Sequence, residues 1–305
     1  TEIDNARAGG ADLGRLAGVP ITIKDALATE GIRSTGGAVE LRDFVPDTDA
    51  VAVAKVRNEG AVVFGKTNVP RWSGDYQCYN EMFGTTNNPW DVERTPGGSS
   101  GGPAAAVAMG FTGFEIGTDI GGSIRLPASH CGVYGHKPSF GVIPTHGYLD
   151  SVAYHRNVSD VNVFGPIARS IDDLDLLVDL LAGPNPDDAP GWRLELPPPR
   201  AAELADFRVA AWLDDSFCPV DDSVSAVLQN VVAALEDAGA QISHTARPDL
   251  EPMAAAVNGS NLIGSATDIS EMQEGMSHLV WDVMHRQRGE LRQRWSEFFG
   301  DIDVL

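Results

Sequence analysis

Two serine-bearing glycine turns, Gly97-Gly-Ser-Ser-Gly-Gly102 and Gly117-Thr-Asp-Ile-Gly-Gly-Ser123, constrain this chain more than anything else in it. Glycine is costly to order, so such density is expected where backbone must turn sharply or come close to a ligand. Hydroxyls carried on these turns are candidate chemistry. A chain of 305 residues can bury a sizeable core around them, and its length fits roughly one to two domains.

The flanking pattern alternates strand and helix. Gly18-Val-Pro-Ile-Thr-Ile-Lys-Asp25 reads as a strand with Ile21 and Ile23 on one face and Lys24 closing the other. Residues 47–64 read as an N-cap cluster, a helix, a stop at Gly60 and a strand over 61–64, followed by a loop at 66–70. Residues 71–90 form an irregular stretch in which Trp72, Tyr76 and Tyr79 could line a pocket. Pro103 opens a helix, a strand is expected near 111–116, and 131–134 is strand-like. Ser170 with Asp173 makes a capping box before a helix ending at Gly183-Pro184. The proline-rich stretch 187–200 reads as a linker. Beyond it come a strand at 207–213, a helix at 223–238, a strand at 241–244 and a mostly helical 272–299 interrupted by Gly275 and Gly289.

Charge and composition narrow the partners. Forty-three acidic against 22 basic residues leave a formal charge of −21, a field that repels nucleic acid and anionic lipid. No apolar run reaches the roughly 18 residues a membrane span needs, and the first residues lack the charged and apolar regions of a signal peptide. Three cysteines without a C-x-x-C spacing suit a reducing compartment, so the chain reads as cytoplasmic. Its seven histidines are scattered, and no metal or cofactor is expected.

Among catalytic patterns, residues 97–102 lack the Gly-Lys-Ser/Thr of a phosphate loop. Gly97-Gly-Ser-Ser-Gly101 formally matches a nucleophile elbow, but that turn needs a strand before it and residues 91–96 read as a loop. The remaining arrangement is one serine as nucleophile, a second hydroxyl as relay and a lysine as base. It requires a neutral lysine, hence burial away from other carboxylates.

Both glycine turns, continued by Ile-Arg-Leu-Pro127, together with Lys24 in its Gly-Val-Pro-Ile-Thr-Ile-Lys-Asp context, resemble the amidase signature family. The resemblance is dense over residues 18–183, where Gly65-Lys-Thr-Asn-Val-Pro70, Gly132 to Pro138 and Gly165-Pro-Ile-Ala-Arg-Ser170 also agree, and diffuse beyond. It implies an α/β/α fold around a central mixed β-sheet, with 1–305 a single amidase domain: signature core about 18–183, linker about 187–200, second part 201–305. Family members run longer, so the resemblance also implies sequence missing at both ends.

By the same resemblance Ser123 is the nucleophile, Ser99 the relay hydroxyl, usually after a cis peptide, and Lys24 the base. The amides of Ile120, Gly121, Gly122 and Ser123 would form the oxyanion hole, and Ser73, Gly74 and Asp75 would line the acyl pocket. Asp119 and Arg125 are expected to brace the turn as an ion pair, Ser100 to hold the loop by hydrogen bonding, and Lys66 and Lys137 to be structural. The expected reaction is hydrolysis of a small-molecule amide, with an aryl or arylalkyl amide preferred because of Trp72, Tyr76 and Tyr79. The alternatives are a glutamine-hydrolysing amidotransferase subunit, disfavoured by the run 68–80 and the acidic charge, and a catalytically silent binding protein. A homodimer is left open.

Overall fold

A computed structural model of the chain describes residues 2–10, 13–150, 159–213, 215–266 and 277–305. One compact unit is built on the stretch up to Leu194 and a second on the stretch from Glu195.

The first unit contains, in order, α1 (Glu2–Ala8), β1 (Pro20–Lys24), α2 (Val51–Asn58), β2 (Val62–Thr67), β3 (Tyr79–Asn80), β4 (Gly84–Thr85), α3 (Gly101–Ala108), β5 (Phe114–Asp119), α4 (Arg125–Cys131), β6 (Tyr134–Gly135), β7 (Val163–Ala168) and α5 (Ile171–Leu181). Strands β1 and β2 pair in parallel, with Lys24 opposite Thr67. Strand β7 lies between β5 and β6 and is antiparallel to both. Strand directions are therefore mixed, as expected, but they are shared among small ladders.

Alternation along the strands sorts side chains to two faces. Ile21 and Ile23 of β1, Phe114 and Ile116 of β5, and Phe164 and Ala168 of β7 pack in one cluster with Val53 and Val56 of α2 and Leu174, Leu177 and Leu181 of α5. On the other face Val107 of α3 meets Ile124 and Ile167, while Ala104, Ala105 and Cys131 form a further cluster. Helices thus cover both faces, and all of β1 beyond Pro20 is buried, Lys24 included.

Several local expectations shift. The N-cap of α2 is Ala50, without a side-chain cap; Asp49 instead accepts from Glu30 N and Arg57 Nη1. Strand β2 runs on to Thr67 through the expected loop because it continues its pairing with β1. The strand expected near 111–116 is β5, displaced toward its pairing with β7, which extends through Asp119 opposite Val163. Helix α4 and strand β7 are new. Pro166 argues against a central strand, yet its carbonyl accepts from His136 N at 3.0 Å. The capping box at α5 forms as expected, with Ser170 Oγ accepting from Asp173 N at 3.1 Å.

The second unit holds β8 (Arg208–Ala210), α6 (Asp222–Asp237), β9 (Gln241–Ser243), α7 (Pro252–Ala266) and α8 (His278–Asp301). Strands β8 and β9 pair in parallel. Gly289 does not interrupt α8; Gly275 lies outside the described residues. No described helix is long and apolar enough to cross a membrane.

Candidate active site

Lys24 ends β1 on the strand face opposite the aliphatic core, fully buried. Its Nζ lies 2.8 Å from Ser99 Oγ, 2.9 Å from Ser100 Oγ and 2.7 Å from Thr118 Oγ1. Burial lowers its pKa from 10.5 to about 7, against the opposing pull of Cys78, Asp119 and Glu115. Desolvation penalises the ammonium and wins because, among the described residues, no carboxylate touches the amine directly. A neutral amine offers a lone pair, so one of the three hydroxyls can donate to it.

The first glycine turn is shaped by what passes over it. A Cβ on Gly98 would sit 2.4 Å from the Gln77 carbonyl oxygen and 2.5 Å from that of Asp75, so only glycine lets the two backbones meet. The Gly98–Ser99 peptide is cis. Ser100 links the turns: its N–H donates to the Ser123 carbonyl at 3.2 Å and its hydroxyl to the Thr118 carbonyl at 3.3 Å. Ser99 is 1% and Ser123 8% exposed, so Ser123 is the more open of the two residues.

The second turn is organised by Asp119, which is buried at the end of β5. Oδ1 accepts from Gly122 N at 2.8 Å and Oδ2 from Ile124 N at 3.0 Å, while Arg125 pairs bidentately through Nε (3.1 Å) and Nη2 (2.9 Å). Burial alone would raise the carboxyl pKa; the Arg125 and amide hydrogen bonds outweigh it and hold Asp119 below its ordinary value. The φ of +125° at Gly122 turns its N–H toward this carboxylate. Of the four expected oxyanion donors, the Gly122 amide is thus engaged by Asp119 in this structure.

The 71–80 loop departs most from expectation. Trp72 packs beside Ala28, Leu41 and Leu149, so its ring is part of a small core cluster. Tyr76, 56% exposed, donates to the Gly121 carbonyl at 3.3 Å and so touches the turn that carries Ser123. Asp75 folds back on its own loop, accepting from Gln77 N and Tyr79 OH. Gly74, Asp75 and Tyr79 line a cavity of 410 Å³ with Gly37, Pro70 and Arg71. Ser73 is not in its wall, although its hydroxyl is buried. Lys66 is strapped to Thr29 Oγ1 (2.7 Å) and Ser34 Oγ (3.0 Å), and Lys137 to the Pro138 carbonyl (2.8 Å).

Thr118 is a third hydroxyl at the amine that sequence reading passed over, although it stands in the motif beside Asp119. Glu115, a lone acid between Phe114 and Ile116 in a fully buried strand, was the other available signal.

A family model described as Amidase matches residues 1–301. The chain belongs to the amidase signature family. A glutamyl-tRNA(Gln) amidotransferase subunit of Moorella thermoacetica is 40% identical to this amidase-family chain over 252 residues, 82% of this chain and 50% of that protein. Among solved structures, fatty acid amide hydrolase superposes with a TM-score of 0.82 at 26% identity, covering 99% of this chain and 57% of that one. The corresponding glutamyl-tRNA(Gln) amidotransferase protein from Thermotoga maritima superposes with a TM-score of 0.73 at 26% identity, covering 94% and 62%. The chain spans about half the length of the curated relatives it matches.

Proposed function

We propose that this chain hydrolyses a carboxamide through an acyl-Ser123 intermediate. The observation that carries this reading is the buried Lys24 amine seated among Ser99, Ser100 and Thr118. Neutral Lys24 takes the Ser99 proton while Ser99 takes that of Ser123, whose oxygen attacks the carbonyl carbon. The negative charge on the tetrahedral oxygen is met by the Ile120, Gly121 and Ser123 amides, each such donor contributing about 3–4 kcal/mol. Returning the proton through Ser99 to the nitrogen breaks the C–N bond and releases the amine or ammonia. Water then attacks the ester, giving its proton to the same relay and restoring Ser123. Every proton has a side chain to carry it.

For the substrate we infer a primary carboxamide of the glutamine side-chain type, supported by the 40% identity to a glutamyl-tRNA(Gln) amidotransferase protein. The aryl preference loses Trp72, one of its three supporting aromatics, to the core cluster. Both units belong to one amidase domain on this reading, since the family match runs through them. A cytoplasmic setting is part of it, supported by the free thiols of Cys78, Cys131 and Cys218. The test is covalent labelling with a fluorophosphonate, followed by turnover of glutamine and a panel of aryl and peptidyl amides. Adduct on Ser123 that vanishes in Ser123→Ala, with ammonia released from glutamine, supports the reading. Adduct on Ser99 instead, or no labelling of the wild type, overturns it.

A further inference from the structure

Glu115 has no step in the relay, yet it is completely buried. Its neighbours Phe114 and Ile116 face the aliphatic core, so its own side chain leaves β5 on the opposite face. There Oε1 accepts from Thr22 Oγ1 at 2.7 Å and from Thr67 Oγ1 at 2.8 Å, and Oε2 accepts from Ile116 N at 3.2 Å. Thr22 precedes Lys24 by two residues on the same face of β1, and Thr67 is the β2 residue paired with Lys24. The β1–β2 and β5–β7–β6 ladders are separate. This one carboxyl therefore bonds three strands together beside the lysine, and Thr118, farther along β5, touches the amine itself.

We propose that Glu115 is the positioning residue of the catalytic base: by tying Thr22 and Thr67 to β5 it sets where the Lys24 amine lies among Ser99, Ser100 and Thr118. The proposal rests on the amidase reading and deepens it. Its charge bears on the amine as well. Lys24 is faced by Cys78 from the 71–80 loop, by Asp119, which Arg125 holds, and by Glu115. Glu115 is faced in turn by Lys66 of β2, beside Asp25. Ionised Glu115 makes Lys24 hold its proton more tightly, so removing the charge shifts the titration of Lys24 to lower pH.

The experiment compares wild type, Glu115→Gln, Glu115→Leu and Thr67→Val. The chain has only four lysines, so selective ¹⁵Nζ labelling resolves Lys24 by NMR. Glutamine keeps an acceptor for both threonines and drops the charge; it should lower the Lys24 titration midpoint by about half to one pH unit. Leucine abolishes the bridge and should slow fluorophosphonate labelling of Ser123 at its high-pH plateau by at least about tenfold, within the range a general base supplies. Thr67→Val, which breaks one bond of the bridge with little change of volume, should slow it in the same direction. An unchanged Lys24 midpoint in Glu115→Gln, or full plateau labelling in both Glu115→Leu and Thr67→Val, overturns the proposal. A shifted midpoint with no labelling of wild-type Ser123 leaves the positioning role standing and sinks the amidase reading instead.

Discussion

Lys24→Met, followed across pH, tests the base most directly. The side chain is completely buried, and its pKa falls from 10.5 to about 7 chiefly through desolvation. At pH 7 about half of the amines are then neutral, against about 1 in 3,000 for a lysine left at 10.5. Labelling of Ser123 by a fluorophosphonate should rise about tenfold per pH unit up to neutrality, flatten above it, and fall about 10²–10⁴-fold in Lys24→Met. Stability supplies a second readout whose sign is fixed. Between pH 7 and 10.5 the unfolded chain binds a proton that the folded chain does not, so stability rises with pH over that window, by about 1.4 kcal/mol per unit. Below pH 7 the full shift of about 3.5 units costs roughly 5 kcal/mol. Lys24→Met lacks this slope, so the difference between the two denaturation midpoints should change steadily with pH over pH 7.5–9.5. A labelling limb near pH 10, or parallel stability curves for the two proteins, would refute the reasoning.

Three further outcomes follow from the same geometry. Gly98→Ala places a methyl 2.4 Å from the Gln77 carbonyl; backbone must move on both sides, and a loss of about 1–3 kcal/mol is expected in urea denaturation, with slower labelling of Ser123. A Gly98→Ala protein with wild-type stability would show that the 75–77 segment yields freely. Asp119→Asn leaves buried amides of the Ser123 turn short of an acceptor and removes the bidentate partner of Arg125; about 1–3 kcal/mol should be lost, and unchanged labelling kinetics would count against a bracing role. Glu115 is pushed up to about 7 by burial, so it binds more protons folded than unfolded. Its contribution to stability is complete below its unfolded value of 4.5 and is lost as pH rises through 7; calorimetry on Glu115→Gln should lack that decline, and a decline equal to that of wild type would reject it.

Much of the site was legible because its residues sit in short motifs. The glycines of 97–102 and the Gly-Gly before Ser123 marked two turns that backbone crowding and reversal require, and Ser170 with Asp173 marked the start of α5. Other residues were misread because their roles depend on distant partners. Trp72 resembles a pocket aromatic until Leu149 is beside it. Gly122 resembles a free donor until Asp119 is seen to take its amide.

The sequence by itself determined the kind of chemistry: two serines on glycine turns, and a lysine at the end of a strand whose alternation places it away from the aliphatic face. Only the tertiary structure decided the state of that lysine. A pKa near neutrality follows from burial, which outweighs the opposing pull of Cys78, Asp119 and Glu115. Strand register and packing bring those groups together from positions 24 to 119, and desolvation acts through that assembled surrounding.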